Sequence, residues 1–236
     1  MSTLIAAAAA FLAIHFFISG TPLRDRITAA TGEGPYLGLF SLASLGLIVW
    51  LVIAYNRAQA GGGDPQLYDP GDGVRHLGIP VVAIAFLLGV QGLFLRNPTR
   101  VRMAGAAQDE GVASGVLRIT RHPFLWGVAI WSGFHVAANG DEASVIFFGT
   151  FFLLATLGTV LIDAKRRRSL GAAWNAFAAK TSNLPFAAVI GGRTRLRVAE
   201  MFGWRFWVAA VLFLVILFSH RRLFGVSPFP GGWVPF

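Results

Sequence analysis

Apolar residues fall into six long runs separated by polar segments, and this pattern predicts six membrane-spanning helices. A helix needs about 20 mostly apolar residues to cross the hydrocarbon core of a bilayer. The six runs lie at 3–19, 36–55, 77–95, 123–139, 143–162 and 204–220. Tyr36 and Tyr55 bracket the second run, where amphipathic aromatic rings meet the two membrane interfaces. The predicted fold class is therefore an all-α polytopic membrane protein.

Two connecting segments have a character of their own. The stretch GGGDPQLYDPGDG, at 61–73, is rich in Gly, Pro and Asp, which predicts an irregular exposed loop. Near 164–182, Leu170, Trp174 and Phe177 recur at helical spacing against a basic face, which predicts an amphipathic cytoplasmic helix in the lipid headgroup layer. We divide the chain into a membrane domain, 1–203, with five helices and this segment, and a sixth helix with a C-terminal tail, 204–236.

Composition supports a membrane protein and excludes several kinds of cofactor. Of the 236 residues, 55% are apolar and 13% charged, and the mean hydropathy is +0.63. The chain has no cysteine, so it forms no disulfides and cannot attach a c-type haem covalently. Its three methionines lie outside the apolar runs, which disfavours a thioether ligand. Histidine is the remaining candidate metal ligand.

Basic residues are concentrated in alternate loops, which predicts the topology. Sixteen of the 20 lysines and arginines lie in or beside the segments that follow the first, third and fifth runs. Cytoplasmic loops carry this excess, so both termini are predicted to lie outside and the loop at 163–203 inside. The formal charge of +9 is thereby explained by contact with membrane lipid, and we expect no nucleic-acid partner.

Two histidines, His15 and His135, lie inside predicted spans. An imidazole loses its water there and must find a partner, so each is a functional-site candidate. Either the two rings are hydrogen-bonded across helices, or they ligate one haem b between helices one and four. At about 1.5 Å per residue, the two α-carbons are expected to differ in depth by roughly 12 Å. His122 matches His15 better in depth, so the pairing stays open.

Polar and aromatic side chains lie one helical turn from each of these histidines. Ser19 is four residues from His15, and Ser132 and Asn139 flank His135 on the face that also carries Trp131. A hydroxyl or amide at such a position can fix the tautomer of a ligating imidazole. We therefore include these four residues among the candidate cofactor-binding positions.

Arg121 and His122 form a second candidate site at the start of the fourth span. Pro123 favours the first position of a helix, so His122 and Thr120 are predicted to cap that helix. A helix N-terminus with an arginine beside it attracts anions. Arg121 and His122 are thus candidates to bind a haem propionate or the carboxylate of another cofactor.

Three stretches of the sequence resemble the NnrU family. They are HFFISGTPLR with GPYLGLFSL near the N-terminus, ITRHPFLWG with HVAANGD in the centre, and LIDAKRRRSLGAAWNAFAAKTSNLPFAA later in the chain. The resemblance extends from about residue 10 to 190. It implies a multi-pass protein of the bacterial inner membrane, linked to denitrification and nitrogen-oxide metabolism.

The same domain resembles that of plastid 15-cis-zeta-carotene isomerase, a haem b enzyme. Carried over by position, the two ligand histidines of that enzyme fall on His15 and His135. The isomerase has a cysteine three positions before its second ligand, where this chain has Ser132. The resemblance therefore implies haem b, with an apolar small molecule or nitric oxide as partner, but without a thiolate-dependent ligand switch.

A second resemblance is to membrane methyltransferases that act on isoprenylcysteine or phospholipids. Arg121, His122, Pro123 and Gly127 match the first part of their pattern, and Gly171, Trp174, Phe177, Thr181 and Pro185 match the second. This likeness implies S-adenosylmethionine as an alternative cofactor. Asp163 stands alone where those enzymes have paired glutamates. A third alternative is a non-enzymatic membrane factor for denitrification. Optical absorbance, cofactor binding and co-purified partners distinguish the three hypotheses.

Overall fold

The computed structural model describes residues 1–229, and all six predicted spans are helical in it. They are α1 (Ser2–Ala13) with a π-helical continuation (Ile14–Ser19), α3 (Glu33–Ala60), α5 (Gly78–Phe94), α6 (Pro123–Asn139), α7 (Glu142–Leu170) and α10 (Trp204–Phe224). Shorter helices are α2 (Pro22–Thr31), α4 (Gly71–His76), α8 (Ala172–Lys180) and α9 (Ala187–Ile190), with 3₁₀ turns at Ala104–Gln108, Gly115–Arg118 and Val198–Met201. The all-α class is confirmed. Residues 230–236 of the predicted tail lie outside the described part.

Five helical segments of residues 1–229 are long and apolar enough to cross a membrane. They are Ser2–Ser19, Glu33–Ala60, Gly71–Phe94, Glu142–Leu170 and Trp204–Phe224. The remaining predicted span, α6, has 17 residues, a length of about 25 Å at 1.5 Å per residue. This length is at the lower limit of the lengths that cross the hydrocarbon core of a bilayer. The number of crossings and the placement of the termini outside stay predictions.

Helix α6 packs between α5 and α7 and forms the centre of the bundle. Helix α10 packs on α5, while α1 packs on α3 and α7. Glycines allow the closest approach: a Cβ built on Gly127 of α6 would lie 2.6 Å from the Cα of Gly89 on α5. Small residues at helix contacts are typical of membrane bundles, because close van der Waals packing holds the helices together there.

The segment at 164–182 differs from its prediction as one interfacial helix. Helix α7 continues to Leu170, and α8 begins after Gly171, whose positive φ of 51° breaks the helical path. Trp174 and Phe177 are 1% and 2% exposed, so they pack inside the protein instead of lying among lipid headgroups. Arg121 and the 3₁₀ turn at 104–108 contact α8, and its position in the headgroup layer stays a prediction.

The loop at 61–73 is irregular up to Pro70, as predicted, and pairs with the start of α7. Its Gln66 forms an isolated antiparallel bridge with Asp141, and Asp64 accepts a hydrogen bond from the backbone of Ala143. This contact marks one end of the bundle. The opposite end carries Arg121 and Asp163, and we call it the inner end, because its loops hold the excess of basic residues.

Candidate functional site

His15 lies where α1 widens into its π-helical turn. Its Nδ1 lies 2.7 Å from the carbonyl oxygen of Phe11 and donates to it, which leaves the lone pair on Nε2. The ring packs against Phe11 and Phe40, with centroid separations of 4.5 and 5.2 Å. The hydroxyl of Ser44 on α3 lies 3.5 Å from Nε2. π-Helical turns are frequent at functional sites.

His135 is oriented in the same way on α6. Its Nδ1 donates to the carbonyl oxygen of Trp131 at 2.8 Å, again leaving the lone pair on Nε2. The ring stacks on Phe148 of α7, with a centroid separation of 4.6 Å and an angle of 30°. Each histidine therefore presents the nitrogen that commonly ligates a metal, with its tautomer fixed by a carbonyl group.

An aromatic layer lies between the two histidines. It consists of Phe11 on α1, Trp131 on α6, and Phe148 and Phe151 on α7. Sequence reasoning missed the two α7 members, although the stretch IFFGTFF carries aromatic residues at helical spacing. These rings connect the surroundings of the two half-buried imidazoles.

Phe151 contacts both Phe11 and Trp131, at 6.0 and 5.9 Å between centroids, and so links the surroundings of the two histidines. His15 lies about one helical turn beyond Phe11, and His135 lies about one turn beyond Trp131. The donor chemistry of each imidazole fits an axial ligand, and ligation of one iron by both requires rings of the layer to move.

The predicted polar neighbours do not fix the tautomers of the histidines. The Ser132 hydroxyl donates to the carbonyl oxygen of Val128 at 2.6 Å, and neither Ser19 nor Asn139 forms a described side-chain hydrogen bond with a histidine. Carbonyl groups four residues back perform that role instead. A helical imidazole reaches its own preceding turn more readily than a side chain on the same face. Trp131 contributes both this carbonyl and its ring.

His122 and Arg121 form a separate site about Asp163, at the inner end. His122 Nε2 lies 2.7 Å from Asp163 Oδ1, and Arg121 Nε lies 3.2 Å from Asp163 Oδ2. Asn183 donates to the same Oδ2 at 3.2 Å. We call Arg121, His122, Asp163 and Asn183 the inner polar cluster. It joins α6, α7 and the segment after α8, so the structure separates His122 from the two intramembrane histidines.

His122 is buried and the other members of the inner polar cluster are half-buried, and the Nε of Arg121 lies near Asp163 without a well-aligned hydrogen bond. His122 is 2% exposed, and burial lowers its pKa although the hydrogen bond to Asp163 opposes this. The carboxylate of Asp163 accepts a hydrogen bond from Nε2 of His122. Burial also lowers the pKa of Arg121, and the charge of Asp163 opposes this. Asp163 thus supplies a partner for His122 inside the protein, which sequence reasoning did not predict.

Residues of the methyltransferase-like pattern meet beside this cluster. The guanidinium of Arg121 lies over the ring of Trp174 at 5.5 Å, and its Nη1 lies 3.4 Å from the hydroxyl of Thr181. The carboxylate next to Arg121 is that of Asp163, so the anion-binding capacity of Arg121 is already engaged. The Thr120 hydroxyl donates to the carbonyl oxygen of Asn183 and so holds the segment after α8 near the start of α6. It does not form a capping hydrogen bond with α6.

A second ion pair holds two 3₁₀ turns together at the inner end. Arg118 Nε and Nη2 lie 2.8 and 3.0 Å from the two carboxylate oxygens of Glu200, and the backbone of Gly115 donates to the same group. The hydrogen bonds from Arg118 lower the pKa of Glu200 from 4.5 to about 2. This carboxylate stabilises the folded state above pH 4.5, and its contribution is lost as the pH falls toward about 2.

We expect Glu200→Gln to loosen the segment at 194–203, because a neutral amide cannot replace the bidentate ion pair. At neutral pH, trypsin should cleave the variant faster after Arg195 and Arg197 than it cleaves the wild type. The acid-dependent loss of stability below pH 4.5 should be smaller in the variant. Glu110→Gln, which removes a carboxylate without a described ion pair, is the matched control. Equal cleavage of all three proteins would contradict this role.

The helix order, the intramembrane histidines and the inner polar cluster define a polytopic helical membrane protein with a polar inner end. The NnrU protein family matches residues 3–228, which is nearly the whole chain. The chain belongs to the NnrU family. This confirms the resemblance drawn from the sequence motifs.

A curated relative is the chloroplastic 15-cis-zeta-carotene isomerase of Zea mays. It is 26% identical over 205 residues, which cover 84% of this chain and 54% of the isomerase. The chain thus spans about half the length of that relative. No solved structure matches the chain significantly. Within residues 1–229, no group of three or more His, Asp or Glu side chains is arranged to hold a metal ion.

Proposed function

We propose that the chain binds haem b inside the helix bundle, with His15 and His135 as axial ligands. The observation that carries the proposal is the pair of intramembrane imidazoles. Each has Nδ1 held by a backbone carbonyl and a lone pair on Nε2, which in His15 faces the Ser44 hydroxyl at 3.5 Å, and both border the aromatic layer. Buried histidines without carboxylate partners are expensive unless they serve a function. The resemblance to the NnrU family and to the carotene isomerase supports the same cofactor.

The residues around the histidines suit an apolar reaction partner that enters from lipid. A bound haem b would supply a redox-active iron whose properties depend on its axial ligands and on local polarity. Phe11, Phe148, Phe151 and Trp131 exclude water and lower the local dielectric. We infer an isomerase-like reaction on an apolar substrate, supported by the name of the maize relative. A role in nitrogen-oxide metabolism of the bacterial inner membrane uses the same site, with nitric oxide as ligand.

Single histidine variants test this proposal. The protein, expressed with ample haem precursor and purified in detergent, should show a Soret band and a b-type pyridine haemochrome. If both histidines ligate, His15→Ala and His135→Ala should each change the spectrum, and the double variant should lose haem. His76→Ala, which removes an exposed imidazole, is the control. Retention of an unchanged spectrum by the double variant would overturn the assignment of these ligands.

Methyl transfer is a second candidate, favoured by the meeting of Arg121, His122, Trp174 and Thr181 at one place. It requires S-adenosylmethionine to displace Asp163 from Arg121 and to reach Trp174, which is 1% exposed. The closed cluster therefore favours a structural role. Calorimetric titration of wild type and Arg121→Ala with S-adenosylmethionine distinguishes methyl transfer from a structural role. Binding by the wild type that is lost in the variant would support methyl transfer. A colourless protein without such binding would favour a non-enzymatic factor.

A further inference from the structure

A groove of about 740 Å³ lies at the inner end, apart from the histidines and beside the inner polar cluster. One wall is the segment 107–113, and the other is α8 with the residues at 192–197. The apolar residues of its lining include Phe177, which is buried, and Ala176, which is exposed. Five basic side chains border it: Arg118, Lys180, Arg193, Arg195 and Arg197. None of the functions discussed above uses this groove.

Two of the basic residues are held in place by the protein. The Nη1 of Arg193 donates to the carbonyl oxygens of Ala178, Ala179 and Thr181, at 3.1, 3.3 and 2.8 Å. Arg118 is also ordered, but Glu200 already balances its charge, so Arg193 is the ordered cation that remains for an anion. Cationic groups that are already ordered lose little conformational entropy when they bind an anion. The groove is therefore prepared for a negatively charged ligand.

Two other basic residues of the groove have no partner of their own. Lys180 and Arg195 are mostly exposed, and neither forms a hydrogen bond or an ion pair with any residue in the described range 1–229. The acidic residues of the groove are Asp109 and Glu110, and Asp109 is paired with Arg96 at 3.1 Å. The uncompensated charge of the groove is thus positive.

We propose that this groove binds a phosphate group carried by an amphiphilic molecule, with an anionic phospholipid as the source. Ordered guanidinium groups recognise phosphate oxygens through charge-assisted hydrogen bonds. Small apolar residues of the lining, such as Val112 and Ala176, suit the glycerol portion of a lipid. Basic pockets on the cytoplasmic side of helix bundles bind anionic headgroups for these reasons. The inner end is the end that the charge pattern predicts to be cytoplasmic.

Lys180→Ala/Arg195→Ala tests the proposal without disturbing the internal contacts of the fold. Purified full-length protein is reconstituted in nanodiscs of phosphatidylcholine, with and without phosphatidylglycerol. Native mass spectrometry then counts the phosphatidylglycerol molecules retained. We expect the double variant to bind this lipid at least about tenfold more weakly than the wild type, because two cations are lost. Arg26→Ala/Arg168→Ala removes two exposed charges outside the groove lining and should bind like the wild type.

A second arm distinguishes a lipid from a soluble phosphate compound. Inorganic pyrophosphate is added to the detergent-solubilised protein, and the midpoint of thermal unfolding is measured. A rise in the midpoint that disappears in Lys180→Ala/Arg195→Ala, without selective retention of phosphatidylglycerol, would identify a soluble phosphate as the source. The proposal is overturned if neither probe binds, or if the two double variants lose binding equally.

Discussion

Asp163→Ala is expected to lower the free energy of unfolding by about 3–5 kcal/mol, because it leaves two buried groups without their partner. Arg121 and His122 both contact this carboxylate, and their side chains are only 12% and 1% exposed. The Asn183 amide loses an acceptor in the same step. The midpoint of thermal unfolding in detergent, followed by intrinsic fluorescence, measures the effect.

Two variants separate the loss of the partner from a general loss of charge. Asp163→Asn keeps a hydrogen-bond acceptor, so its cost should be smaller, about 1–3 kcal/mol. Asp25→Ala removes an exposed carboxylate paired with Arg24 and should change stability by about 1 kcal/mol at most. If Asp163→Ala unfolds at the same temperature as Asp25→Ala, the inner polar cluster does not hold the inner end together.

Gly127→Ala is expected to destabilise the bundle by about 3 kcal/mol, the upper end of the range for overpacked cores. The added methyl would lie 2.6 Å from the Cα of Gly89, 2.7 Å from the carbonyl oxygen of Ala85 and 2.9 Å from the Gly89 nitrogen. All three are backbone atoms, so no side chain can turn aside. Helices α5 and α6 must therefore move apart.

Gly149→Ala is the matched control for Gly127→Ala. Gly149 lies on α7 in the same bundle, and a Cβ built there meets nothing within 4 Å. Since alanine favours a helix over glycine, this variant should be as stable as the wild type or slightly more stable. The close packing of α5 on α6 is disproved as a determinant of stability if both variants unfold at the wild-type midpoint.

Hydropathy predicted the six helices because a bilayer demands a minimum length of apolar sequence, and every predicted run is helical in the structure. It could not predict where α8 lies. An apolar stripe such as Trp174 and Phe177 satisfies a headgroup layer or a protein interior equally well. The choice depends on whether distant residues cover it, and Arg121 does so here.

The residues of the candidate sites were recognisable one by one, whereas their partners were not. Asp163 was noted only as a lone acid, and its contacts come from His122, 41 positions away, and from Asn183, 20 positions away. Such pairs depend on how the helices pack against one another, and the periodicity of a single helix gives no information about this packing. The depth difference between His15 and His135 stays a prediction from helical rise and from where each span ends.

The absorption spectrum of the wild-type protein, purified after expression with abundant haem precursor, tests the central proposal most directly. We expect a Soret band and a b-type pyridine haemochrome in stoichiometric amount. A protein that stays colourless under these conditions, while folded and monodisperse in detergent, would contradict haem binding by His15 and His135.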